Sequence, residues 1–286
     1  MKARIIKIIS KEYTVLTDSG ERHLAILSGK LRRQITPAAG DIVDVNEMNG
    51  DYVIQKVHPR KNYLIRPFVA NVDQALIVMS VVDPDFSTAL IDRLCILIRK
   101  ADIEPILIVT KCDREFSEET KKNIAEYESG QLQVYRTGKG SLNSVIPSLL
   151  QGKVSVLTGQ SGAGKSTLIN ELDPEFHLAT QEISKALGRG KHTTRHNELH
   201  EVCGGLVADT PGFSSLDFGN VESDELGSLV PDFVPYIGKC RFNDCIHQNE
   251  PGCAIKEAVE EGRIPLRRYN NYLAVLSLIQ ERRKKY

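Results

Sequence analysis

Hydrophobic and polar positions alternate in one way over the first quarter of the chain and in another way beyond it. Up to about residue 66, β-branched stretches (Arg4–Ile9, Tyr13–Thr17, Asp41–Val45 and Tyr52–Val57) are short. Turn-forming clusters separate them: Asp18-Ser19-Gly20, Ser28-Gly29, Ala39-Gly40-Asp41 and Asn49-Gly50-Asp51. Gly, Asn and Asp tolerate the backbone angles of tight turns, so this spacing predicts several short strands. The length suits a five-stranded barrel of the OB kind, although propensity alone does not separate it from an SH3-like barrel.

From Asn71 the texture changes. Val72–Val82 is nearly all apolar, as in a parallel strand covered on both faces. Between Ser87 and Ala101, Leu90, Ile91, Leu94 and Ile98 recur at helical spacing. Ile106–Thr110, Leu132–Tyr135, Val154–Thr158 and Leu206–Ala208 read as further buried strands. Strands alternating with helices predict an α/β domain with a mainly parallel sheet. The strand signal ends near Val221. A loop-rich segment follows, then a basic amphipathic helix from about Leu266 to Lys285, with Tyr269, Leu273, Leu276 and Ile279 on one face. The expected organisation is a multi-domain chain: an all-β OB-like barrel over 1–66, a central α/β domain over 67–221, and a mainly helical C-terminal domain over 222–286.

Composition narrows this little. The 286 residues are 41% hydrophobic, enough for a sizeable core, and Lys plus Arg (37) balance Asp plus Glu (37). Nucleic-acid binding would therefore need local basic patches. The longest apolar run, Ala75 to Val82, is far short of the ~18 residues of a membrane span, and Met1–Ile9 does not resemble a signal peptide. A cytoplasmic protein is expected.

The chemistry lies in four short segments. Gly159-Gln160-Ser161-Gly162-Ala163-Gly164-Lys165-Ser166-Thr167 fits G-x-x-x-x-G-K-[ST], with a strand before it and a helical stretch after it. Glycines let backbone N–H groups converge on phosphate oxygens, Lys165 reaches the β- and γ-phosphates, and the Ser166 hydroxyl ligates Mg²⁺. Asp209-Thr210-Pro211-Gly212 follows a buried strand; there Asp209 can hold Mg²⁺ through water and the Gly212 N–H can approach the γ-phosphate. Gly188–Arg195 lies between, and a hydroxyl from Thr193 or Thr194 would complete the Mg²⁺ shell. Thr110-Lys111-Cys112-Asp113 ends a strand. A carboxylate at Asp113 matches guanine N1–H and the 2-amino group, donors that adenine lacks, and mispairing there would cost about 1–3 kcal/mol or more. The Lys111 stem would pack along the base, and Thr137-Gly138 would offer a backbone N–H to guanine O6. Ordinary GTPases place the base reader after the phosphate loop, whereas here it comes first, as a circularly permuted sheet would allow.

Cys240-x₄-Cys245-x-His247-x₅-Cys253 supplies three thiolates and an imidazole within 14 residues. That set satisfies tetrahedral Zn²⁺ with no position left for water, so a structural site is expected. Cys95, Cys112 and Cys203 sit in strand or helix contexts and read as core or bystander residues.

Together Thr110–Asp113, Gly159–Thr167, Gly188–Thr194, Asp209–Gly212 and the run from Cys240 to Cys253 resemble the ribosome small subunit-dependent GTPase A family of bacteria, and the likeness spans the whole chain. The resemblance implies late assembly of the small (30S) ribosomal subunit, contact with 16S rRNA, and slow intrinsic GTP hydrolysis stimulated by the subunit. It also implies a switch I histidine in catalysis, which here is His192. Phe213 follows Asp-Thr-Pro-Gly, where Ras-like enzymes place the Gln that orients water, and an apolar ring cannot do this. Basic side chains at both ends, Lys30, Arg32, Arg33, Arg60, Lys61 and Arg66, then Arg263, Arg267, Arg268 and Arg282 to Lys285, suggest a clamp on rRNA phosphates. A monomer is expected. Two other readings are an RNA-binding assembly factor whose nucleotide only gates binding, and an ATPase or small-molecule kinase, against which Asp113 argues.

Overall fold

The computed structural model describes residues 1–65, 68–173, 198–208 and 217–283. Thirteen strands and six α-helices are assigned among them, in two compact units. One unit comprises Met1–Ala75, Ser144–Thr158 and Lys165–Gly212; the other comprises Leu76–Asn143, Gly159–Gly164 and Phe213–Tyr286.

In the first unit, β1 (Lys2–Ile9), β2 (Glu12–Thr17), β3 (Arg22–Leu27), β4 (Ile42–Met48) and β5 (Asp51–Val57) close into a barrel of order β1-β2-β3-β5-β4. All pairings are antiparallel except β3 with β5, the order of an OB-type barrel. Alternate residues, among them Ile5, Val15, Ala25, Val43 and Ile54, point inward and form its core. β3 is a strand that the turn signals did not mark: Arg22-His23-Leu24-Ala25-Ile26-Leu27 alternates, but its Leu24 and Ile26 face outward and are exposed. A hairpin, β6 (Tyr63–Ile65) and β7 (Phe68–Ala70), follows the barrel. Asp41, fully buried, takes two bonds from Arg60, at 2.7 and 2.8 Å, and the guanidinium lies over Tyr63 and Phe68.

β8 (Gln74–Ser80) is buried along its whole length and crosses from the first unit to the second. At its start Gln74 bonds Ser155 Oγ at 3.0 Å. In the second unit it is followed by α1 (Thr88–Lys100), β9 (Glu104–Thr110), α2 (Glu118–Glu128) and β10 (Gln133–Arg136), with β9 and β10 parallel. Ser87 caps α1 and Ser117 caps α2, each hydroxyl accepting an N–H of the first turn. α3 (Ile146–Leu150), β11 (Val154–Thr158), α4 (Lys165–Leu172), β12 (His200–Val202) and β13 (Gly205–Ala208) complete the first unit. There β11 and β13 are parallel, while β12 and β13 are antiparallel.

The C-terminal stretch of the second unit consists of two 3₁₀ turns (Leu226–Leu229 and Pro231–Tyr236), then α5 (Ala254–Glu260) and α6 (Leu266–Arg283). Phe218, Val221, Leu226, Phe233, Tyr272, Val275, Leu276 and Ile279 share a core there with Ile96 of α1. Beside it lies a buried polar knot. Arg268 pairs with Asp92 and Asp232, at 3.4 and 3.1 Å, and stacks 3.9 Å over the Tyr127 ring. Asp92 also accepts from Tyr127 Oη at 2.8 Å and Asn271 Nδ2 at 2.6 Å. No described helix is long and apolar enough to cross a membrane.

Candidate nucleotide site and metal centre

The phosphate loop opens where β11 ends. Gly159 has φ +127°, and a Cβ there would lie 2.0 Å from the Val78 carbonyl oxygen, so only glycine lets the loop pass β8. Gly162 and Gly164 also have positive φ, at +79° and +92°. Ala163 between them is buried, while Ser161 and Gly162 are exposed. α4 starts at Lys165, which is half-buried, with Ser166 and Thr167 exposed in its first turn.

Thr110 connects this loop to the end of β9. Its hydroxyl is buried and donates to the Ala163 carbonyl at 2.5 Å. The sequence placed Thr110 near the base; in the structure its hydroxyl ties the Thr110–Asp113 segment to the phosphate loop. Thr110 and Ala163 lie 53 residues apart, and Thr110–Asp113 and the Gly159–Gly164 part of the phosphate loop meet within one unit in reversed order.

Beyond Thr110 the backbone turns through Lys111 in a left-handed conformation (φ +59°). The Lys111 ammonium donates to the carbonyls of Val82 and Asp83, which hold its stem along the loop. Cys112 N donates to the Thr137 carbonyl at 3.1 Å, so the two loops are laced together. The Asp113 carboxylate is exposed and accepts the Lys139 N–H at 2.8 Å. That bond, with one from its own N–H, holds Asp113 below the usual carboxylate range and keeps it ionised, as an acceptor of two donors must be. Thr137 N–H is spent on the Val109 carbonyl at 2.8 Å, and Gly138 N–H faces Ser141 at 3.4 Å. Gly138 has no room for a side chain: a Cβ would come 2.8 Å from Asp113 Oδ1. Lys139, Val82 and Asp83 were missed from sequence because they act through backbone atoms, which leave no residue-type signature. The glycine at 138 was the available hint.

Gly188–Thr194, including His192, Thr193 and Thr194, and Asp209–Gly212 with Phe213 lie outside the described residues.

The four metal-site residues do converge. One ligand atom from each of Cys240, Cys245, His247 and Cys253 lies within 4.8 Å of all the others. His247 Nδ1 is 3.5, 3.4 and 3.4 Å from the sulfurs of Cys240, Cys245 and Cys253, and Cys240 and Cys253 sulfurs are 3.9 Å apart. Zn–S of about 2.3 Å and Zn–N of about 2.0–2.1 Å, arranged tetrahedrally, require S···N near 3.5 Å and S···S near 3.8 Å. The donor set therefore fits Zn²⁺ in spacing as well as in chemistry. Burial pushes the Cys245 thiol up to about 12 and raises Cys253 as well, and only a cation in the centre would reverse that. Burial likewise lowers His247, favouring the neutral imidazole that binds metal. Its ring fits because residue 227 is glycine, where a Cβ would lie 2.7 Å from Nε2. The loop itself is pinned. Glu250 accepts the N–H groups of Ile246, Gln248 and Asn249 at 2.8–3.0 Å. Tyr269 and Tyr272 hydroxyls bond the carbonyls of His247 and Ile246.

The basic side chains divide. Arg268 is buried in its ion-pair knot and Arg60 is held by Asp41, so neither is available to a phosphate. Lys61, Arg263 and Arg267 are paired with Asp73, Glu261 and Glu126. Lys30, Arg32 and Arg33, around a 3₁₀ turn of the barrel (Leu31–Arg33), are exposed.

The RsgA GTPase family model matches residues 57–219. The small ribosomal subunit biogenesis GTPase RsgA 2 of Oceanobacillus iheyensis is 45% identical, covering 100% of this chain and 99% of its own. The small ribosomal subunit biogenesis GTPase RsgA of Bacillus subtilis is 43% identical, with the same coverage. Among solved structures, YloQ, described as a circularly permuted GTPase, superimposes with a TM-score of 0.85 at 38% identity over 98% of this chain and 95% of that one. YjeQ from Thermotoga maritima gives 0.83 at 33% identity over 98% of both. With sequence and fold agreeing over the full length, the chain belongs to the RsgA GTPase family and is a circularly permuted GTPase.

Proposed function

We propose that this GTPase acts on the small ribosomal subunit late in its maturation, with slow intrinsic hydrolysis that the subunit stimulates. The observation that carries the nucleotide part is the Thr110–Ala163 bond, which brings the base-reading loop and the phosphate loop together. Asp113 reads guanine N1–H and the 2-amino group, the Lys111 stem covers the base, and the turn at Thr137-Gly138 borders O6. Gly159–Gly164 wrap the phosphates, Lys165 takes the β- and γ-oxygens, and Gly212 N–H meets the γ-phosphate. Mg²⁺ bound with the nucleotide would supply positive charge that offsets the charge on the phosphates. Ser166, one of Thr193 and Thr194, and Asp209 through water would hold it, and His192 would take part in activating water.

Cys240, Cys245, His247 and Cys253 hold one structural Zn²⁺. The segments 1–66, 67–221 and 222–286 serve as RNA-binding barrel, GTPase domain and zinc-binding domain of a cytoplasmic monomer. The barrel meets 16S rRNA through the exposed cations around residues 30–33. The names of the relatives support the subunit as partner. A second reading, in which nucleotide only gates RNA binding, draws on Phe213 in place of a water-orienting Gln. Turnover of GTP and ATP, with and without purified small subunits, separates the two. Subunit-stimulated hydrolysis of GTP alone is expected; nucleotide-dependent binding without stimulated turnover would favour the second reading.

A further inference from the structure

The turn between β8 and α1 borders both the base-reading loop and the phosphate loop. β8 is apolar from Ala75 to Met79 and then ends on Ser80, which is fully buried. The Ser80 hydroxyl donates to the Pro84 carbonyl at 2.7 Å and so closes the turn that Val81, Val82 and Asp83 make. Val81 N–H bonds the Thr110 carbonyl at 3.1 Å, which ties the start of the turn to β9. Within the turn, the Val82 and Asp83 carbonyls converge on the Lys111 ammonium, which donates to both. Arg114, just beyond Asp113, pairs with the Asp83 carboxylate at 3.4 Å. On its other side the turn meets the phosphate loop: a Cβ on Gly162 would lie 3.7 Å from Pro84 Cδ. All these residues belong to one unit.

We propose that Ser80 is a positioning residue for guanine-nucleotide binding. Through the Pro84 carbonyl it fixes the turn whose Val82 and Asp83 carbonyls hold the Lys111 ammonium, and the held ammonium sets the Lys111 stem in place for the base. This rests on the role given to Lys111 above. A hydroxyl at the end of a buried apolar strand costs desolvation unless it is bonded, and the bond that Ser80 makes is to the turn. Carbonyl oxygens aimed at one point repel each other until a cation sits between them. Their convergence therefore needs support from both sides: the Lys111 ammonium in front and the Ser80 hydroxyl behind. A lysine stem is flexible, and a free one would have to be ordered as the base arrives; ordering it beforehand removes that cost from binding. Spending the ammonium on carbonyls also leaves the apolar methylenes as what Lys111 offers to a ligand.

The test is a double-variant cycle on the full chain, read by equilibrium titration with a fluorescent GDP analogue, with thermal melting to confirm folding. Ser80→Ala removes the hydroxyl; Lys111→Met keeps an unbranched apolar stem and removes the ammonium. Each is expected to weaken GDP binding by about tenfold, the size of one lost hydrogen bond. Because both act through one clamp, the double variant should bind within about twofold of the weaker single variant, whereas independent losses would multiply to about a hundredfold. In nucleotide-free protein, the Lys111 ammonium should become more reactive toward an acetylating reagent in Ser80→Ala, as mass spectrometry of its peptide would show. A generally loosened core would not confine that change to this lysine. Where Ser80→Ala does not fold, Ser80→Cys, which fills the space with a weak donor, takes its place. The proposal is overturned if the folded Ser80 variant binds GDP within about twofold of wild type, if the two losses multiply, or if Lys111 reactivity does not change. Wild-type protein that binds no GDP, or Lys111→Met protein that binds it as wild type does, would instead sink the role given to Lys111.

Discussion

The bond between Thr110 and Ala163 makes the most direct prediction. Valine has nearly the shape of threonine, so Thr110→Val replaces one hydroxyl by a methyl at a site only 5% exposed. Two things follow. The Ala163 carbonyl, now 2.5 Å from where a methyl carbon must sit, has to withdraw, because carbon and oxygen cannot approach that closely. It also loses its donor inside the protein, which costs about 1–3 kcal/mol. The loss falls on the conformation in which Gly159–Gly164 wrap the phosphates, so affinity for GTP and GDP should fall together, by about 5–150-fold. Preference for guanine over adenine should persist, because Asp113 and its bond from Lys139 are untouched. Thr110→Ser keeps the hydroxyl and removes only a methyl, about 0.8 kcal/mol of apolar burial. The assay is equilibrium titration with fluorescent GTP and GDP analogues, with thermal melting to confirm folding. Folded Thr110→Val protein binding both nucleotides within twofold of wild type would refute the reasoning. Equal weakening by Ser and Val would show that the methyl, rather than the hydrogen bond, matters.

Other predictions concern neighbouring features. Asp113→Asn exchanges an acceptor for an amide whose NH₂ faces the guanine donors; GTP affinity should drop at least tenfold, and xanthosine triphosphate, which carries oxygen at position 2, should lose less, as competition binding would reveal. Arg268→Met leaves Asp92 and Asp232 buried without their shared cation, and should destabilise the chain by about 3–5 kcal/mol in denaturant unfolding. For Glu250, burial alone would raise the carboxyl, but the surrounding backbone N–H groups outweigh it and hold it below the reference 4.5. Its folded value is depressed, so its stabilisation is fully present above about pH 4.5 and is lost as pH falls through that lower value. Glu250→Gln should therefore melt below wild type at neutral pH, the gap closing in acid. The same variant should release zinc to a chelator about 10–100-fold more readily.

Much of the site was legible in the sequence because phosphate and metal binding demand particular residue types at fixed spacing. Gly159–Thr167 and the run from Cys240 to Cys253 are local constraints: glycine where no Cβ fits, sulfur and imidazole where a tetrahedron must close. The buried strands were legible too, since a strand covered on both faces, such as β8, has to be apolar throughout. β3 escaped because its outward Leu24 and Ile26 blur the alternation. Arg268 was taken for a surface cation, because a basic residue in an amphipathic helix reads the same whether it faces water or a pair of buried carboxylates. The sequence by itself thus determined which chemistry the chain carries, through residue identity and short spacing. Only the tertiary structure decided what Thr110 bonds, which backbone N–H groups are already spent, which cations are free, and that the chain entering β12 is bonded to the barrel. Those are contacts between segments far apart in the chain, made largely by backbone atoms that every residue shares, so no residue type marks them.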